Sequence, residues 1–180
     1  MIPNGYRIRA AVAEDVACLP EIERQAGLLF DDHLELIGLT KEFQAPVNSV
    51  ENFEKAQRAG RLWVAVPPSG DPVGFALVQE IGGFAHLEEL DVLPQHGRKG
   101  VGSALLNAVC AWAAQGGYPA VTLSTFRDIP WNAPFYQRRG FRVVPSSELS
   151  AGHVQLVASE QSRGLRADLR VMMACSINNQ

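Results

Sequence analysis

Cysteine is scarce in this sequence. Cys18, Cys110 and Cys175 are the only three in 180 residues, and they lie far apart. There is no CxxC pair and no zinc-like spacing, which argues against a disulfide framework and calls for no metal. Each thiol sits among apolar neighbours, as a small core residue does, and reduced thiols are expected. Long apolar runs are missing too. None approaches the ~20 residues that a membrane span needs, and mean hydropathy is -0.02. Residues Met1 to Arg7 lack the basic start and apolar stretch of a secretion signal, so a cytoplasmic location and no membrane partner are expected. Positive charge is not in excess. Lys+Arg number 16 against Asp+Glu 19, a net charge of -3. That balance argues against a nucleic-acid partner held by phosphate neutralisation.

What the chain does have is core material. Hydrophobic residues make up 47% and charged residues 19%, enough to bury a core. The length fits one domain over residues 1–180. Tyr6 to Val12 alternates polar and apolar residues and reads as a strand. From Glu14-Asp15 towards Phe30, the positions Val16, Leu19, Ile22, Glu23, Ala26 and Leu29 approximate a helical stripe. Ser49 is placed to cap a helix that ends at Gly60. Arg61–Pro67, Pro72–Ile81 and Phe84–Leu93 are apolar runs joined by short turns, an antiparallel meander. A strong helix follows from about Gly100 to Gln115, with Val101, Leu105, Ala108 and Trp112 in one stripe. Ala120–Phe126 reads as a buried strand. Asn132 and Pro134 open a short helix, and Phe141–Val144 starts another strand. Residues 145–164 are mostly polar, with helical character around Val154–Gln161, and Arg166–Ile177 reads as a final strand. The strand–helix–strand stretch from 84 to 126 calls for a parallel crossover beside the antiparallel meander. A mixed α+β sheet packed with helices follows.

The most informative segment runs from Leu90 to Gly102. A strand ends at Pro94, and a loop with Gly97, Gly100 and Gly102 enters a helix. The first amides of a helix have no internal partners. With the helix dipole they form an anion site suited to a pyrophosphate. Arg98 and Lys99 add positive charge at the rim. Such a loop is also open to reading as a plain tight turn with solvated cations. A dinucleotide fold is a further alternative, but the GxGxxG order is absent and hairpins rather than βαβ units precede the loop.

A second segment, Asn132-Ala133-Pro134-Phe135-Tyr136 followed by Gly140-Phe141, gives the loop its context. Together the two segments resemble the GNAT acetyltransferase superfamily. That family carries a Gln/Arg-x-x-Gly-x-Gly/Ala loop between a strand and a helix, and later an Asn-x-x-x-Tyr motif. Gly100 and Gly102 match the loop, while Gly97 departs from the usual Gln or Arg. Position 97 would then serve through its backbone amide, with Arg98 supplying a cation. The resemblance implies a GNAT-like mixed, mostly antiparallel central sheet with helices on both faces. It implies acetyl-CoA as cosubstrate, held by Gly97, Arg98, Lys99, Gly100, Val101 and Gly102. It further implies a backbone N–H around Leu90, Asp91 and Val92 for the thioester carbonyl, Asn132 against the pantetheine arm, and Tyr136 near the sulfur as general acid. Tyr136 also reads as an aromatic packed on the sheet, but its spacing from Asn132, one helical turn, favours the functional role.

The amine must also lose a proton. By strand alternation His86 and Glu88 share a face with Leu90 and are the candidate bases, while Glu89 and Asp91 fall on the other face unless a bulge shifts the register. His86 reads as well as a polar residue near a hairpin turn. Asp128 is open to attracting a cationic amine or to holding the turn before Pro130. Phe30 and Phe43 fall where the family lines its acceptor site, and read as core packing. The expected activity is an acetyl-CoA-dependent N-acetyltransferase acting on a small-molecule or peptide amine by direct attack in a ternary complex. The alternatives are a non-catalytic acyl-CoA-binding domain and a transferase of a longer acyl group. A homodimer through Arg166–Ile177 is one option; an internal strand is the simpler one.

Overall fold

The structure, a computed structural model, describes residues 5–40, 47–68 and 70–177. Phe43, expected near the acceptor site, lies outside those residues. Among the described residues seven strands form one sheet: β1 (Arg7–Ala10), β2 (Leu62–Val66), β3 (Gly74–Ile81), β4 (Phe84–Val92), β5 (Ala120–Phe126), β6 (Arg142–Val143) and β7 (Arg170–Ser176). Their order across the sheet is β1-β2-β3-β4-β5-β7-β6. Only the β4–β5 pair is parallel; the other neighbours run antiparallel. The helices are α1 (Leu19–Gly27), α2 (Leu34–Ile37), α3 (Val50–Arg58), α4 (Val101–Gln115), α5 (Ala133–Gln137) and α6 (Ala151–Ser162). This is the mixed, mostly antiparallel sheet that the sequence suggests, and α4 makes the parallel crossover from β4 to β5.

Strand alternation divides the core in two. On one face Trp63, Ala65, Ala76, Val78, Leu87, Val121 and Leu123 pack under Leu105, Leu106 and Val109 of α4 and Tyr136 of α5. On the other, Val64, Phe75 and Leu77 meet Leu19 and Ile22 of α1 and Phe53 of α3. Because both faces are covered, β2 is buried along its whole length. It reads as a continuous apolar run rather than an alternating one. Ser49 caps α3 as expected, its Oγ accepting from the Asn52 amide at 3.2 Å.

Several local expectations need correction. Leu29 leaves the α1 stripe and is 42% exposed, because the chain tightens into a 3-10 helix over Leu28–His33 and three residues per turn rotate the stripe. Ala108 and Trp112 of α4 are only half-buried, and the buried ridge is Leu105, Leu106, Val109 and Ala113. The helix after residue 145 starts at Ala151, capped by Ser150, whose Oγ accepts from the His153 amide. The last strand starts at Arg170, after a 3-10 turn over Ala167–Leu169. It lies between β5 and β6, with β6 pairing at Ala174 and Met173, which is the internal position that the simpler option expects.

Candidate active site

The β4–β5 pair opens almost as soon as it forms. It holds at Ala85↔Val121, His86↔Thr122 and Leu87↔Leu123, then stops. β5 continues against β7 as far as Phe126↔Arg170. β4 continues against β3 as far as Val92↔Gly74. Backbone groups of Glu88 to Val92 that point away from β3 therefore border a V-shaped cleft without a strand partner.

A bulge drives this opening and overturns one expectation. Leu77 pairs with Glu89 while Val78 pairs with Leu87, which leaves Glu88 as the extra residue. A bulge bends its strand and shifts the side-chain parity. Leu87 faces the α4 side before it, and Leu90 and Val92 face that side after it. His86 therefore does not share a face with Leu90. It lies with Glu89 and Asp91, opposite Gln79, Leu77 and Phe75.

His86 is also sealed. It is 3% exposed, and its Nδ1 shares a hydrogen bond with Thr122 Oγ1 at 2.9 Å. That hydroxyl meets His153 Nε2 at 3.1 Å, and His153 Nδ1 meets Ser150 Oγ at 2.9 Å. Burial pushes the His86 pKa down to about 3, with the charges of His153 and Arg170 adding to it. A second polar cluster stands one step further along β5. Glu160 accepts from Ser124 Oγ at 2.9 Å and from Arg170 Nη2 at 2.8 Å. Polar contacts thus dock α6 on the sheet at the apex of the cleft, which no apolar stripe in residues 145–164 announces.

The glycine-rich loop closes the other end of β4. Pro94–His96 forms a 3-10 turn. The Gly97 amide donates to the Pro94 carbonyl at 3.1 Å, so it is engaged in the turn instead of facing a ligand as expected. A Cβ at position 97 would sit 3.1 Å from that same carbonyl oxygen, a tight approach. Arg98 and Gly100 take positive φ, 57° and 86°. The first bond of α4 is Ala104 N–H to Gly100 O at 3.0 Å. The amides of Val101, Gly102 and Ser103 have no acceptor among the described residues, as the start of a helix requires. Arg98 and Lys99 are exposed beside them.

α5 packs onto this loop. Gly102 faces the Phe135 ring, and a Cβ there would lie 3.7 Å from it. Arg139 ties the two motifs together. Its guanidinium stacks 3.6 Å over Phe135, donates to the Phe135 carbonyl at 2.8 Å and bonds Ser103 Oγ through Nε at 3.1 Å. Sequence reasoning missed Arg139, although a cation one turn after the aromatic pair was a signal. Asn132 precedes α5; its side chain makes no capping bond, contrary to expectation. Tyr136 is 9% exposed, and its hydroxyl has no hydrogen-bond partner among the described residues. Burial raises its pKa, and the charges of Glu89 and Asp91 push the same way.

Carboxylates gather on the side opposite α4. Glu89 and Asp91 are raised above the carboxylate range by burial and then by neighbouring acids, Glu23 among them. Glu88 is raised by burial, against a bond from Gln79 and the charge of Arg163. Glu23, on α1, reaches about 7 through burial, although the Asn48 amide donates to it at 3.1 Å. A groove of about 330 Å³ leads from Glu88 along Gln79, Asn48, Asn52 and Lys55. Phe30 stacks near Phe126 and Trp131, at 5.6 and 5.9 Å between ring centres, and Asp128 is exposed.

The sequence model of the Acetyltransferase (GNAT) family matches residues 30–141. This chain belongs to the GNAT acetyltransferase family. The matched stretch holds the bulged strand, the glycine-rich loop and the Asn132–Tyr136 helix, so the family's features coincide with the cleft. An 89-residue stretch is 34% identical to the uncharacterized N-acetyltransferase YjcF of Bacillus subtilis (strain 168); it covers 48% of this chain and 61% of that protein. The chain thus spans less than two thirds of that relative. Two solved GNAT structures share the fold. The PaiA N-acetyltransferase of Thermoplasma acidophilum, in complex with coenzyme A, aligns with a TM-score of 0.65 at 17% identity, over 95% of this chain and 98% of that one. A GNAT-family acetyltransferase of Staphylococcus aureus Mu50 aligns at 0.67 and 17% identity, over 96% and 99%. Among the described residues of this GNAT protein, no helix is long and apolar enough to cross a membrane.

Proposed function

We propose that residues 1–180 form one acetyl-CoA-dependent N-acetyltransferase domain that acetylates a primary amine in a ternary complex. The observation that carries this reading is the juxtaposition of the β4–β5 cleft with the unpaired amides of Val101, Gly102 and Ser103. The donor set fits a diphosphate: three amides at the positive end of a 15-residue helix, with Arg98 and Lys99 beside them. A CoA thioester, when bound, supplies an activated acetyl group.

The chain's own residues then divide the work. Backbone N–H groups of Leu90 to Val92 that border the cleft donate to a carbonyl oxygen as negative charge grows on it, a contribution of ~3 kcal/mol for one well-placed donor. Asn132 orients the arm of the carrier. Tyr136 carries its proton at neutral pH, as any phenol does, and offers that proton to a departing thiolate. Glu88 takes the proton that the amine loses, directly or through water. Its place at the head of the polar groove supports that role over His86, whose ring is engaged in the buried relay. All three thiols have raised pKa values through burial, Cys110 to about 11. They remain protonated, which supports direct transfer over a thiol-linked intermediate.

The test is release of free thiol from acetyl-CoA across a panel of polyamines, aminoglycosides, amino acids and peptide N-termini. Amine-dependent release supports the reading. Tight CoA binding without release over the panel would favour an acyl-CoA-binding domain, and faster release from longer thioesters would change the acyl group.

A further inference from the structure

Residues 94–100 form the turn that presents the diphosphate-binding amides, and the turn is exposed apart from His96 and Gly97. Among the described residues, one side-chain hydrogen bond ties it to the rest of the molecule. Lys99 Nζ bonds only within the turn, to the Gln95 carbonyl at 2.9 Å. His96 Nδ1 instead shares a hydrogen bond with the Tyr6 hydroxyl at 2.7 Å, across 90 residues of sequence. The two rings also meet edge-on, 5.8 Å between centres. Tyr6 stands just before β1 and is itself packed against the α4-side core, as Leu93 is. The turn needs such a hold. Arg98 sits at φ 57°, a conformation that a side chain with a Cβ adopts at a cost and that persists only where its surroundings impose it.

We infer that Tyr6 is a positioning residue for the cosubstrate: through His96 it holds the 94–100 turn in the shape that aims the Val101–Ser103 amides at a diphosphate. The inference rests on the acetyl-CoA reading above. Without the tether the turn would have to be ordered on binding, and affinity would fall by the cost of that ordering.

Calorimetric titrations with coenzyme A and with pantetheine, which lacks the diphosphate, separate the possibilities. Wild type, Tyr6→Phe, His96→Leu, the double variant and His96→Asn are compared, with thermal unfolding recorded for each. Tyr6→Phe and His96→Leu should each weaken coenzyme A about fivefold, the order of one net hydrogen bond, and leave pantetheine unchanged. The double variant should be no weaker than either single one. His96→Asn, which keeps a polar atom near the Nδ1 position, should retain most of the affinity. If wild type binds no coenzyme A, the acetyl-CoA reading itself fails. If wild type binds and Tyr6→Phe binds equally well, or loses both ligands alike, the tether is not a positioning device. Should Tyr6→Phe not fold, equal affinities of His96→Leu and His96→Asn would overturn the inference.

Discussion

Acid should loosen the apex of the cleft through His86. This imidazole is 3% exposed and its pKa is pushed down to about 3, against ~6.5 in an unfolded chain. A lowered folded-state pKa means that the unfolded chain takes up the proton first. The stability that neutral His86 contributes is fully present above about pH 6.5 and is lost as pH falls towards 3. The slope is ~1.4 kcal/mol per pH unit, or ~5 kcal/mol over the whole window. Glu23 works in the opposite sense. Its pKa of about 7 penalises the folded state at neutral pH, and that penalty is relieved as pH falls to its unfolded value. Glu88, Glu89 and Asp91 are raised as well and act in the same sense as Glu23, so a single unfolding profile mixes all of them, and the comparison with His86→Gln isolates the histidine. The variant loses the Thr122 bond and is less stable at pH 7. Between pH 6 and pH 4 the gap to wild type should close by ~3 kcal/mol, measured by urea unfolding at each pH. Parallel profiles for the two proteins would refute the reasoning, because His86 would then titrate alike in the folded and unfolded states.

Further outcomes follow from the same geometry. Tyr136→Phe should lower kcat ~100-fold while leaving CoA affinity in calorimetry unchanged; unaltered turnover would remove the hydroxyl from the chemistry. The Glu88 pKa is raised, so kcat/KM should climb with pH along a limb above the ordinary ~4.3 of glutamate, as the carboxyl loses its proton and becomes a base. Glu88→Gln should abolish that limb together with most of the activity, and a variant that keeps the limb would assign the base elsewhere. Glu160→Gln strands the half-buried Arg170 charge, whose ion pair measures 2.8 Å, and should cost ~3 kcal/mol in chemical unfolding. Replacing both partners with apolar residues should cost less.

The sheet was legible because its strands are apolar runs punctuated by turns, and the family because the glycine-rich loop and the Asn132–Tyr136 segment occur together, in order, with a buried strand between them. The bulge was the costly omission. Strict alternation put His86 on the face of Leu90, and the bulge moves it to the face of Glu89 and Asp91, yet Leu87-Glu88-Glu89-Leu90 carries the signal. Two apolar residues three apart cannot both face one core across a regular strand, so one residue between them must be extra. The docking of α6 was hidden for a different reason. It is held by His153 and Glu160, both buried, while Val154 is 52% exposed, so a search for an apolar stripe looks at the wrong residues. The Tyr6–His96 tether joins positions 90 apart, and no local pattern records such a contact.

The cleft and its loop stand or fall on one ligand. Titrating coenzyme A into the purified protein, at low and at raised salt, asks directly whether the amides of Val101 to Ser103 and the cations beside them hold a diphosphate. Saturable binding of one ligand per chain that weakens as salt rises is the predicted result. No saturable binding even at millimolar coenzyme A would contradict it.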